Sequence, residues 1–437
     1  MTEAVGLRPS KTDTPAVPER AATRTGGRLS AIDGLRLLAA LMVAMYHFTG
    51  YTPGVRHAWG IESRDAFPWL HQISQYGWLG VELFFMISGF VVCMSCWGRT
   101  PGAFFRSRIV RLFPAYWAAI VITTIVVTLW PVVRERKPWN EILINFSMLQ
   151  EGLGAPNVDG VYWTLWNEGL FYLLFAFLVW RGLTLKRTII FGYGWLIASA
   201  FAARSGVPLI ETFLQPGYAP FFVAGIALYL IYRFKSDIVL WGMFGLAFIM
   251  AQYRTSEMLR FYNKKYSLEM LQPAGALLVG GFFLVLTLVA LGYTSRIQWR
   301  WLTTAGALTY PFYLLHENIG WTIIYGLRDT GPRLVILVLV TAIMLMAAFL
   351  LHRLVEKPVS RILRDRLAEA SAMINRPDRF GTPPPAPSSS APSSSSPAAS
   401  SPVPSSPVPS SPAPSLPAQR NSGEPDTLVL QVYRSEQ

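Results

Sequence analysis

Ten stretches of nearly unbroken apolar residues divide the chain, at about 32–50, 79–97, 113–133, 161–180, 188–203, 218–232, 238–253, 274–293, 302–326 and 334–354. A helix needs about 20 residues to cross a bilayer, with a range of about 17–25. The pattern therefore predicts an all-α fold, a polytopic membrane helix bundle of about ten transmembrane helices. The fifth to seventh stretches are shorter than that range, and the pattern fixes their ends least closely. The first begins too far from the N-terminus for a signal peptide and has no small-residue cleavage site, so it is kept as a span. From Pro383 to about Pro417 the residues are Pro, Ser and Ala with little else, which predicts a disordered tail that cannot bury enough surface to fold. The domains expected are an arm at 1–31, a membrane domain at 32–366 and a cytoplasmic tail at 367–437.

Composition agrees with the pattern, since 52% of residues are hydrophobic and only 14% charged, where a soluble domain carries about a quarter charged. A net charge of +13 would suit nucleic acid, but no basic run is interleaved with aromatics in a soluble segment, so no nucleic-acid partner is expected. The cations set orientation instead. Arg99, Arg106, Arg108 and Arg111 lie between the second and third stretches. Arg181, Lys186 and Arg187 follow the fourth, and Arg353, Lys357, Arg361 and Arg364 follow the last. All are cytoplasmic if both termini are, which predicts a multi-pass protein of the inner (cytoplasmic) membrane. Arg134, Arg136, Lys137, Lys264 and Lys265 on the other side weaken the contrast. Cys93 and Cys96 read as two small residues of an apolar helix, and no metal centre is expected.

Charges inside a span are costly, so each needs a partner, a cavity or a function. Arg36 and His47 are eleven residues apart, which returns to within about 20° of the same helix face. Asp33 lies about 40° to the other side of His47. The three form one polar stripe, with the small Ala40 and Val43 between them. A separation of about 16 Å along the axis means that Arg36 and His47 line one path without touching. Histidine is well suited to take a proton from a hydroxyl near neutral pH, which makes His47 the first candidate base. Glu82, in the second stretch, is a partner for Arg36 or a group that orients His47. Ser88 and Gly89 allow close helix approach. Arg108 and Arg111 share a helix face at i and i+3, and paired guanidinium groups suit phosphate oxygens, although on local grounds alone a cytoplasmic anchor explains them better. Glu168, early in the aromatic-rich fourth stretch, requires a cavity. His316, following Pro311 in the ninth, is the second candidate proton handler.

In this order the segments resemble the acyltransferase family 3 membrane proteins. Asp33-Gly34-Leu35-Arg36 followed by His47 matches that family's Arg-x10-His motif. Gly80 to Phe90 resembles its Gly-Val-Asp-Leu-Phe-Phe block, with Glu82 for Asp. Arg108-x-x-Arg111-x-x-Pro114-x-Tyr116, Tyr162 to Tyr172, Thr309 to His316 and Glu356-Lys357-Pro358 echo four further blocks. Six weak matches in register are together specific.

The resemblance implies ten core spans, an essential histidine at His47, and a cytosolic acyl-CoA donor, with acetyl-CoA expected and no permanently bound cofactor. The expected catalytic set is His47 with Asp33, Glu82 and Glu168 as candidates to orient it. The expected acyl-CoA-binding set is Arg36, Arg108, Arg111, Ser88, Tyr116 and His316. The acceptor is expected to be a hydroxyl of a cell-surface or exported carbohydrate or related glycan. The family's fused periplasmic domain has no counterpart here, so relay to a distant acceptor would require a periplasmic partner protein. The alternative reading is a transporter or flippase for a glycan or lipid, which would also place Arg, His and Glu along one path.

Overall fold

The computed structural model describes residues 29–50, 53–266 and 268–374. Most of the expected arm and all of the Pro/Ser/Ala run lie outside the described residues. The ten apolar stretches coincide with ten helices: α1 (Ser30–Thr49), α2 (Gly80–Cys96), α3 (Pro101–Leu129), α4 (Trp163–Trp180), α5 (Leu185–Ala202), α6 (Ala219–Phe234), α7 (Ile238–Tyr266), α8 (Gln272–Ala290), α9 (Arg300–Leu327) and α10 (Arg333–Leu351). A further helix, α11 (Lys357–Ile374), follows a π-helical turn at His352–Glu356. It runs past position 366, where the apolar pattern closes the membrane domain. Its sequence is rich in helix formers, with Arg366 and Glu369 paired at i and i+3.

Among the described residues, seven segments are long and apolar enough to cross a membrane, those of α1, α2, α3, α6, α7, α8 and α10. The other three are helices in the expected places with too many polar groups to qualify. α4 carries Asn167 and Glu168, α5 carries Lys186 and Arg187, and α9 carries Arg300, His316, Glu317 and Asn318. Two of those three, α4 and α9, bear candidate chemistry, so their polarity is concentrated where the bundle needs it. α7 is far longer than its apolar stretch. Its polar second half stays helical with Arg254 bonded to Glu257 and Ser256 bonded to Gln272.

α2 and α6 form the centre, since 83% of the membrane-length window of each is buried, against 28% for α7 and 33% for α10. Helices buried all round are apolar nearly all round, and both sequences are, apart from Glu82, Ser88 and Ser95 of α2 and Arg233 near the end of α6. Glycine sets their separation. A Cβ on Gly89 would strike the Phe222 carbonyl, and one on Gly225 would strike the Met86 carbonyl, so the two backbones touch. α1 packs on α2 and α9, α3 on α9 and α11, α10 behind α9, and α7 behind α6. Gly225→Ala should cost about 1–3 kcal/mol of stability through overpacking. Gly102→Ala, with nothing within 4 Å of the added carbon, should be neutral or better. Thermal unfolding in detergent checks the pair, and equal midpoints would refute the close-contact reading.

Pro114 lies inside α3 and has no N–H for the carbonyl of Val110 four residues back. Ser360 of α11 supplies the missing donor, its hydroxyl donating to Val110 O at 2.9 Å.

Candidate functional site

α1, α2, α3, α4 and α9 surround a cavity of about 100 Å³. Three arginines line it, Arg36 from the start of α1 and Arg108 and Arg111 from the start of α3, together with a single carboxylate, Glu168. The site is therefore cationic, and it lies toward the end of the bundle where α1 and α3 begin. Each charge is fixed by its neighbours. Arg108 is buried; it donates to Ser95 at 3.1 Å and lies over the rings of Phe104 and Tyr172 at 5.7 and 5.6 Å. Ser88 donates to Glu168 at 2.6 Å. Arg36 is 3.8 Å from Asp33, and Gly306 leaves the room that Asp33 needs, since a Cβ there would be 2.5 Å from its carboxyl oxygen. Of the three, only Arg36 has a salt bridge among the described residues, and Arg111 has neither a salt bridge nor a hydrogen bond there, which leaves its guanidinium available to an anion.

The two candidate histidines meet. His47 Nδ1 and His316 Nε2 are 2.8 Å apart, across 269 residues of sequence. The approach depends on Gly320, where a Cβ would collide with Phe48 of α1. His316 is wholly buried and stacked on Phe312, with 13° between the rings. Its Nδ1 is 2.8 Å from the Tyr313 carbonyl. A carbonyl only accepts, so this nitrogen carries the proton, and in a neutral ring Nε2 must then accept. His47 therefore donates from Nδ1. Its Nε2 keeps a lone pair and has no hydrogen-bond partner among the described residues.

This arrangement corrects the expected source of orientation. Asp33 pairs with Arg36 and Glu168 with Ser88. Glu82 is buried with Oε2 unpartnered. None of the three bonds to His47; a second histidine does. Tyr116 also departs from expectation. It is fully buried away from the cavity and donates to Asn145 O at 2.8 Å, pinning the segment that follows α3. Cys93 and Cys96 are buried thiols.

Beyond the histidines lies a second, larger cavity of about 940 Å³, at the opposite end of the bundle. Its walls come from the segments after α1 and α3, the segment before α4, and Asn318 of α9. Between it and the histidines stand groups that sequence reasoning passed over. Trp321 donates from Nε1 to the His47 carbonyl at 2.7 Å and presents its ring edge-on to His47 at 5.9 Å. Arg134 lies 5.2 Å over Trp321 and 3.7 Å from Glu317 Oε1. Asp159 accepts from the Asn318 backbone at 3.2 Å. Burial, and then the Glu317 carboxyl beside it, raise Asp159 well above the usual carboxylate range. Glu317 and Trp321 are four residues apart and share one face of α9, and that spacing beside His316 was the available signal. Arg134 had none beyond its charge.

The chain matches the family described as an acyltransferase domain over residues 29–353. It is also similar to Acyltransferase MdmB of Streptomyces mycarofaciens, at 24% identity over 393 residues, covering 79% of this chain and 95% of that protein. No solved structure matches it.

Proposed function

The chain belongs to the acyltransferase family matched over residues 29–353 and is a membrane acyltransferase; from that premise we propose that it carries an acyl group, acetyl first, from cytosolic acyl-CoA to a hydroxyl of an exported carbohydrate or related glycan. The observation that carries this reading is the His47–His316 pair standing between a three-arginine cavity and a second cavity at the opposite end. A transporter would also place charges along a path, but the family decides for the enzyme.

With both termini cytosolic, the arginine cavity faces the compartment that holds acyl-CoA. Arg111 and Arg108 bind the phosphates, and Arg36 binds further along the donor. The adenosine and phosphate groups are too polar to pass deeper, so the thioester is the part that reaches the histidines. The acceptor hydroxyl comes from the other cavity. Its proton passes to His47 Nε2 as its oxygen attacks the thioester carbonyl carbon; the C–S bond breaks, and the leaving thiolate takes that proton from His47 to become CoA, which returns His47 to its neutral form. His316 holds the His47 ring in the tautomer that keeps Nε2 basic, as a carboxylate does in a hydrolase triad.

Arg111→Ala should raise the KM for acetyl-CoA about 10- to 100-fold, the value of one lost hydrogen bond to a charged group at about 1.5–3 kcal/mol. It should leave kcat nearly unchanged, because phosphate contacts are equal in ground and transition states. Steady-state CoA release from purified protein in nanodiscs tests both numbers. An unchanged KM would remove the phosphate role. Saturable acetyl-CoA binding with His47-dependent CoA release would support the whole reading, and a folded sample that binds no acetyl-CoA would end it.

A further inference from the structure

The larger cavity and the histidines are separated by very little. Gly54 lines the cavity and abuts the Trp321 ring so closely that a Cβ there would run into it. On the other face of that wall, Trp321 is in contact with His47. Arg134 completes the barrier. It lines the cavity and reaches both Trp321 and Glu317.

Its attachment is weak. At 3.7 Å the approach to Glu317 is a charge contact longer than a hydrogen bond. A partly exposed cation over an indole adds little more. Arg134 also sits on the non-helical segment between α3 and the short helix Trp139–Asn145, so no helix restrains its backbone. A third of its side chain is exposed.

An acyltransferase that binds a thioester beside a histidine base must keep water from the same carbonyl. We infer that Arg134 is the gate between the large cavity and the histidine pair, and that this cavity is the acceptor's vestibule. The inference rests on the acyl-transfer reading above. The gate opens when an oxygen-rich acceptor offers hydroxyl or carboxylate oxygens to the guanidinium in place of Glu317 and Trp321. Arg134 then swings off the indole and the acceptor hydroxyl reaches His47 Nε2. Without an acceptor the closed gate keeps bulk water out. When the gate is removed, water replaces the acceptor hydroxyl. Its proton passes to His47, its oxygen bonds to the acyl carbon, the C–S bond breaks, His47 returns the proton to the leaving thiolate, and the products are the free acid and CoA.

The test needs no knowledge of the acceptor. Full-length protein in nanodiscs is given acetyl-CoA alone, and CoA release is followed for wild type, Arg134→Ala, Glu317→Gln and the double variant Arg134→Ala/His47→Asn. Release should rise at least fivefold in Arg134→Ala and by a smaller factor in Glu317→Gln, where the arginine remains but loses its counter-charge. In the double variant it should fall to the background. A merely damaged protein would lose release and would not gain it. If Arg134→Ala no longer binds acetyl-CoA, Glu317→Gln alone decides. His47-dependent release that is unchanged or lower in the gate variants overturns the gate and leaves the donor reading standing. No His47-dependent release in any protein overturns both.

Discussion

Replacing His47 with Asn lowers acyl transfer about 10³-fold, within the range that a positioned general base contributes, while acetyl-CoA binds as before. Asparagine can still offer an N–H toward His316 Nε2, so the buried partner is not orphaned. What disappears is the lone pair at Nε2, the one ring nitrogen of the pair without a hydrogen bond among the described residues. The arginine cavity is lined by other residues, which is why binding should survive. The measurement is CoA release at saturating acetyl-CoA, with donor affinity determined separately by calorimetry. Activity within tenfold of wild type would take the proton-transfer role from His47. A parallel loss of donor binding would instead mark it as structural.

The second large effect is expected at His316, and here two substitutions matter more than one. His316→Leu should cost about 10²-fold or more, because His47 is then free to rotate and to place its proton on either nitrogen. His316→Gln presents an amide oxygen that accepts from His47 Nδ1, so the tautomer is kept, and most of the activity lost in the leucine variant should return. Rescue by glutamine separates a positioning residue from a space-filling one, since leucine fills the buried site nearly as well. Equal loss in both variants would show that the second imidazole itself must carry the proton, and equal retention would show that orientation does not matter. Comparing kcat across pH for wild type and the glutamine variant adds a readout that packing alone would not move.

The positions of ten helices were legible because hydropathy over about 20 residues reports what a bilayer demands. The lengths of α7 and α11 were not, because neither the polar second half of α7 nor the charged α11 leaves a hydropathy signal. Within α1, helical spacing placed Asp33, Arg36 and His47 on one stripe. It could not say which groups on other helices would meet that stripe. The carboxylates were reasonable partners for His47 on chemical grounds, but each was already committed or turned away, Asp33 to Arg36, Glu168 to Ser88, and Glu82 to a buried position of its own. Pairing across 269 residues is a property of how α1 and α9 pack, and Gly320, the residue that permits it, looks ordinary in the sequence. Arg134 was read only as a cation that blurred the topology, because loop residues have no periodicity to reveal what they face.

The bond from Ser360 to Val110 ties the two ends of the bundle's construction together. A ribosome delivers α3, with its arginines, long before it delivers α11, and the donor for the Val110 carbonyl lies 250 residues further on. Until then the proline-broken turn must borrow water or a lipid headgroup, since an unmet backbone carbonyl is costly away from water. The arginine-bearing α3 is thus completed last, by a residue outside all ten apolar stretches. A chain released before residue 360 would insert all its spans and still leave the arginine helix unfinished.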